Sequence, residues 1–122
     1  MRSRDIFQAF RFAFSGLWYT LRTQRNMRVH LAVAGIVAVL GIWLELSADQ
    51  WAMLALTSGL VLFSEMTNTV IENLVDLVCP DYHPLAKIIK DVMAGAVVLA
   101  AAVAVIVGLL ILGPPLWDKL LS

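Results

Sequence analysis

Apolar residues gather into three long runs and one periodic stripe. From Val92 to Trp117 no charged residue occurs, more than the roughly 20 residues a helix needs to cross a bilayer. Gly95 and Gly108 suit close helix packing in lipid. Gly113-Pro114-Pro115 is expected to stop this span, giving 92–113. Two earlier runs, Leu31–Leu44 and Trp51–Ser64, are 14 residues each, a length that also suits a buried helix in a soluble protein. A chain of 122 residues cannot cover three all-apolar helices, so membrane spans are favoured. With His30 and Glu45 at the interfaces the first span covers 29–46. The second starts at 51 and continues through Glu65 and Asn68 to 78, where Cys79-Pro80 ends it. A short polar turn, Ser47-Ala48-Asp49-Gln50, joins the two.

Residues 1–28 follow a different pattern. Ile6, Phe7, Phe10, Phe14, Leu17, Trp18 and Leu21 fall within about 120° of arc on a helix turning about 100° per residue. Arg4, Arg11, Ser15 and Arg22 border that stripe. The pattern predicts an amphipathic helix on the membrane surface; packing against the other helices is the alternative. The expected fold is therefore all-α and membrane-integral, in one domain. It has an N-terminal surface helix and three transmembrane helices, the second extending into the cytosol.

Composition agrees, since 61% of residues are hydrophobic against roughly 45–50% in soluble domains. That content excludes disorder, and the lone Cys79 excludes an intrachain disulfide. Nine basic and nine acidic residues give zero net charge, so no attraction to nucleic acid is implied. Position matters more than the sum. Arg2, Arg4, Arg11, Arg22, Arg25 and Arg28 precede the first span, Lys87 and Lys90 separate the second from the third, and the 47–50 turn has no cation. The positive-inside rule puts the N-terminus and the 72–91 connection in the cytoplasm. The 47–50 turn and the C-terminus, with Lys119, fall outside. Trp18, Trp43, Trp51 and Trp117 lie near the expected interfaces, as an aromatic belt would.

Five of the nine acids lie between 65 and 91: Glu65, Glu72, Asp76, Asp81 and Asp91. Glu65, Asn68, Glu72 and Asp76 share a helical stripe about 80° wide. Such a row repels itself unless a cation compensates, and a divalent ion held by carboxylate oxygens would do so. A solvated polar face is the plainer reading, most so for Asp76. Glu65 follows 14 uncharged residues, about 21 Å of helix, which puts it at or just under the lipid boundary. An ionisable group there is costly and a functional candidate; at headgroup depth it could take a proton from a lipid hydroxyl. Lys90 could hold phosphate oxygens or anchor the span. No glycine-rich phosphate loop and no protein-kinase signature occurs.

Glu65-Met66-Thr67-Asn68-Thr69-Val70-Ile71-Glu72 resembles the E-x-x-N-[ST]-x-x-E signature of the prokaryotic diacylglycerol kinase family, small integral-membrane lipid kinases. Lys90-Asp91 followed by Ala94-Gly95-Ala96-Val97 is similar to the family's second signature. Arg25-Asn26-Met27-Arg28-Val29-His30 and Tyr82-His83-Pro84-Leu85-Ala86-Lys87 look like its undecaprenol kinase branch. The resemblance runs nearly end to end.

The resemblance implies a homotrimer in the bacterial inner membrane, with shared active sites at the cytoplasmic face. It implies transfer of the ATP γ-phosphate to a membrane lipid alcohol, with Mg²⁺ as cofactor; undecaprenol is favoured over diacylglycerol. Carried onto matching positions, Glu65 is the general base, Asn68 orients the site and Glu72 ligates Mg²⁺. Lys90 and Asp91 contact nucleotide phosphates and position the surroundings of Glu65. Asp76, Asp81, Tyr82 and His83 lie by the nucleotide. The family commonly has a glutamate where this chain has Gln24, so a Gln24 ligand would bring no charge. The competing class is a non-catalytic bundle subunit or ion carrier, which predicts facing carboxylates at the midplane. His30 reads as an interfacial packing or hydrogen-bonding residue more than a ligand.

Overall fold

The computed structural model describes residues 5–122 and is wholly helical: α1 (Ile6–Thr23), α2 (Arg25–Trp43), α3 (Ala48–Val78) and α4 (Pro84–Leu121). Arg2 and Arg4, counted above for orientation, lie outside the described residues. Three helices, α2, α3 and α4, are long and apolar enough to cross a membrane. Burial is sparse. Among the described residues only Met27, Leu54, Val61, Val97 and Ala100 form a buried apolar core, while Ile36, Val39, Leu56, Phe63, Val98, Leu109 and many others are exposed. In water such a surface would drive aggregation. In lipid it faces a solvent as apolar as itself, and internally satisfied helices are what that solvent demands. Buried Thr20, Ser64 and Thr69 return their hydroxyls to the carbonyls of Gly16, Val61 and Glu65 in their own helices.

Local chemistry sets each boundary. Asp5 caps α1, its carboxylate accepting from the Gln8 N–H at 2.8 Å. Gln24 is extended and separates α1 from α2. Arg28 then reaches back, Nη1 donating to the carbonyls of Leu21 and Arg22 at 3.0 and 2.9 Å. A cation thus caps the negative end of α1 and ties the first two helices together.

The α2–α3 corner differs from a four-residue polar turn at 47–50. Glu45 N–H donates to Ile42 O and Leu46 N–H to Gly41 O, a Schellman closure with Glu45 at the left-handed position, φ 56°. Ser47 caps α3 in a capping box with Gln50, so Ala48, Asp49 and Gln50 are already helix. Gly41 sits against the Trp51 ring across this corner.

The third span also departs from expectation. Gly113-Pro114-Pro115 does not stop α4, which continues to Leu121. Proline removes N–H donors to the turn before it, but its fixed φ suits the helix that follows. The continued turns are held from outside: Lys119 Nζ donates to Trp43 O at 2.9 Å and lies 4.8 Å from the Trp43 ring centroid. The most extensive helix pairing is α3 with α4, through a hairpin at 79–83. There Pro84 opens α4, and His83 Nδ1 accepts from the Leu85 N–H at 3.1 Å.

Candidate active site

α3 runs unbroken for 31 residues, about 46 Å at 1.5 Å per residue, so its polar stripe is one continuous line. Exposure rises along it: Glu65 is 2% exposed, Asn68 and Glu72 are half-buried, and Asp76 is open. Val70, Leu74, Leu77 and Val78, on the rest of that surface, are exposed.

Glu65 is the unusual member. A buried carboxylate loses several kcal/mol of hydration unless it is paired. Its ion-pair partner is His30 of α2, with Nε2 3.1 Å from Oε1. No directed hydrogen bond joins the two and Oε1 takes no other donor, so the contact leaves a buried acceptor open. Three residues on, Asn68 donates Nδ2 to Glu72 Oε1 at 3.0 Å. Its own Oδ1 is buried with no donor. Two oxygen acceptors and a carboxylate thus stand within two turns of one helix, short of hydrogen-bond donors.

A second cluster lies at the hairpin. Lys90 Nζ meets Asp76 Oδ1 at 2.6 Å between α4 and α3, and Lys87 Nζ meets Asp91 Oδ2 at 2.6 Å within α4. The hydrogen bond that Lys90 donates to Asp76 holds its ammonium pKa above the usual value, despite an opposing effect of lost hydration. Asp76, Asp81, Tyr82, His83, Lys87, Lys90 and Asp91 line a groove of about 390 Å³. The residues expected by the nucleotide therefore come together. Glu65, Asn68 and Glu72 are not on its walls. Asp91 pairs with Lys87 and Lys90 with Asp76; neither pairs with Glu65. Gln24 donates Nε2 to Thr23 Oγ1 at 3.4 Å at the α1–α2 break.

The sequence pattern gives His30 an interfacial packing or hydrogen-bonding role but does not name its partner, Glu65. The signal was there: His30 opens the first span and Glu65 lies late in the second, so antiparallel helices put both at one end. Tyr19 was also missed; its hydroxyl accepts from Asn73 Nδ2 at 3.3 Å and docks α1 on α3.

The sequence pattern described as prokaryotic diacylglycerol kinase matches residues 11–112. The chain belongs to the prokaryotic diacylglycerol kinase family. It is 49% identical over 113 residues to a diacylglycerol kinase of Synechocystis sp., covering 92% of this chain and 65% of that relative. It thus spans less than two thirds of that protein. It is 44% identical over 111 residues to an undecaprenol kinase of Bacillus subtilis, covering 91% of this chain and 90% of the relative. A diacylglycerol kinase of Escherichia coli is 32% identical over 104 residues, covering 83% of each.

Family membership directs attention to a metal. Among the described residues no three His, Cys, Asp or Glu side chains surround a common metal position. Magnesium does not need three. It is commonly held by one or two carboxylates, with substrate phosphates and water completing the shell. Glu72, half-buried and held by the Asn68 amide, fits that smaller donor set.

Proposed function

We propose that this chain is an ATP- and Mg²⁺-dependent lipid kinase. It transfers the γ-phosphoryl group of ATP to the hydroxyl of a membrane lipid alcohol, at the cytoplasmic face of a bacterial membrane. The observation that carries the reading is Glu65: a buried carboxylate with an open acceptor, in contact with His30, a lining residue of an apolar cleft of about 490 Å³ between α2, α3 and α4. His30, Val61 and Leu54 line that cleft.

In this reading the lipid hydroxyl meets Glu65, which accepts its proton as the oxygen attacks the γ-phosphorus. The new O–P bond forms while the bond to the β-phosphate oxygen breaks, and ADP leaves. Glu72 would hold Mg²⁺, which when bound neutralises phosphate charge. Asn68 orients Glu72 through its amide. Lys90 supplies a cation to the nucleotide phosphates, with Asp91, Asp76, Asp81, Tyr82 and His83 around the nucleotide. Little covalent work falls to the protein in such a transfer; positioning and charge neutralisation dominate.

The exposed row Ile6, Phe7, Phe10, Phe14, Leu17 and Trp18 on α1 supports a helix lying in the membrane surface. The cations of the N-terminus and the hairpin support a cytoplasmic site, with α3 extending beyond the bilayer. Homotrimer assembly is part of the same proposal. Undecaprenol is favoured as acceptor over diacylglycerol on residues 25–30 and 82–87, and relatives of both names support the two-lipid comparison.

The test is purified protein in mixed micelles with labelled ATP, Mg²⁺ and each lipid. Label is expected on undecaprenol, and more slowly on diacylglycerol. Glu65→Gln should lower kcat on the order of 10²- to 10⁴-fold, the usual size of a general-base effect, with ATP KM changed less than about threefold. Label on neither lipid, or full activity in Glu65→Gln, would defeat the reading.

A further inference from the structure

We infer that His30 is a positioning residue for the base: its imidazole orients the Glu65 carboxylate, without itself taking the substrate proton. The inference rests on the kinase reading above, and deepens it at the same site.

The argument begins with what surrounds Glu65. A side chain 2% exposed cannot rely on water, so its orientation is set by its neighbours. Those neighbours are largely committed elsewhere. Thr69 Oγ1 donates to the Glu65 backbone carbonyl, Ser64 Oγ to Val61 O, and Asn68 Nδ2 to Glu72. The cations of the hairpin are held by Asp76 and Asp91. Arg28 is turned onto the end of α1. Among the described residues, His30 is the one basic side chain within ion-pair distance of Glu65.

The second observation is where His30 stands. It lines the apolar cleft of α2, α3 and α4, and its side chain is 26% exposed where that of Glu65 is 3%. It therefore stands between the cleft and the base. A lipid hydroxyl approaching from the cleft meets the imidazole first, with the carboxylate behind it. With His30 holding the carboxylate from one side, 3.1 Å from Oε1, the acceptor capacity of Oε1 that no hydrogen bond fills is left to take the proton. The proton passes from the hydroxyl to the carboxylate, so the transfer is balanced without any exchange at the imidazole.

A residue acting through Glu65 has a kinetic signature that a packing residue lacks. His30→Leu and His30→Asn remove the Nε2 contact, one by polarity and one by reach. Each should lower kcat about 10- to 100-fold, the scale known for losing the partner that orients a metal-ligating side chain, with ATP KM within about threefold of wild type. His30→Gln, whose amide nitrogen takes the place of Nε2, should recover most of that loss. In a Glu65→Gln background, where the carboxylate is gone, His30→Leu or His30→Asn should change residual kcat less than about threefold. Kinetics of these variants in the mixed-micelle assay decide the matter, and the Asn and Gln variants keep the test open if Leu prevents folding. Wild-type kcat in the Leu or Asn variant overturns the inference while leaving the kinase reading intact. So does full additivity with Glu65→Gln, or a Gln variant as slow as Asn. A wild-type protein that labels neither lipid overturns both.

Discussion

Lys90 and Asp76 join α4 to α3 through a 2.6 Å ion pair spanning 14 residues of sequence. Both side chains are substantially open to solvent, so the pair is exchangeable, and a phosphate oxygen can replace the carboxylate. Lys90→Met should raise ATP KM on the order of tenfold, the scale of one lost charged contact. Asp76→Asn should leave thermal unfolding nearly unchanged, as for most exposed pairs. Initial-rate kinetics and a melting curve check both.

The same pair makes a pH statement. The bond to Asp76 raises the lysine above its ordinary 10.5. The stabilisation it contributes is therefore fully present below that value, and is lost only as pH rises through the higher folded one. Between pH 7 and 9 Lys90 stays charged, so it should contribute no pH dependence to ATP KM. A KM that climbs over this range in wild type but not in Lys90→Met would contradict this.

Glu72 and Gln24 carry the metal prediction. Glu72→Gln should raise both ATP KM and the Mg²⁺ concentration for half-activity, since it removes the carboxylate of a sparse donor set. Gln24→Glu should lower that Mg²⁺ concentration if position 24 joins the shell. Metal titrations of activity read both, and an unchanged Gln24→Glu titration removes Gln24 from the site.

The α2–α3 corner predicts stability of opposite signs at two positions. A Cβ on Gly41 would lie 2.5 Å from Trp51 Cη2 and 2.9 Å from Cζ2. Gly41→Ala forces the ring to shift, and should cost about 1–3 kcal/mol, as overpacking does.

Glu45 is held at φ 56°, a region that costs a non-glycine residue roughly 1–2 kcal/mol. Glu45→Gly relieves that strain but frees the unfolded chain, so a net gain of about 0.5–1 kcal/mol is expected. Thermal unfolding in the same micelles measures both variants.

Much of this protein was legible in its sequence, for a local reason. Three apolar runs specify three membrane-length helices, because a helix in lipid satisfies its own backbone and needs only apolar length. The 3–4–4 spacing from Glu65 to Asp76 places four polar groups on one face, because the helical period is fixed within a segment. The family was readable from the same residues. Ends were less so: Pro114 and Pro115 look like a stop, yet Lys119 on Trp43 keeps the helix going. Glu45 gives no turn signal, and its left-handed conformation follows from how α2 must close onto α3.

What only the tertiary structure decided is which groups on different helices meet. The His30–Glu65 pair and the Lys90–Asp76 pair depend on the register between helices. That register is set by side-chain packing over the whole length of the bundle, and no periodicity within a single segment records it.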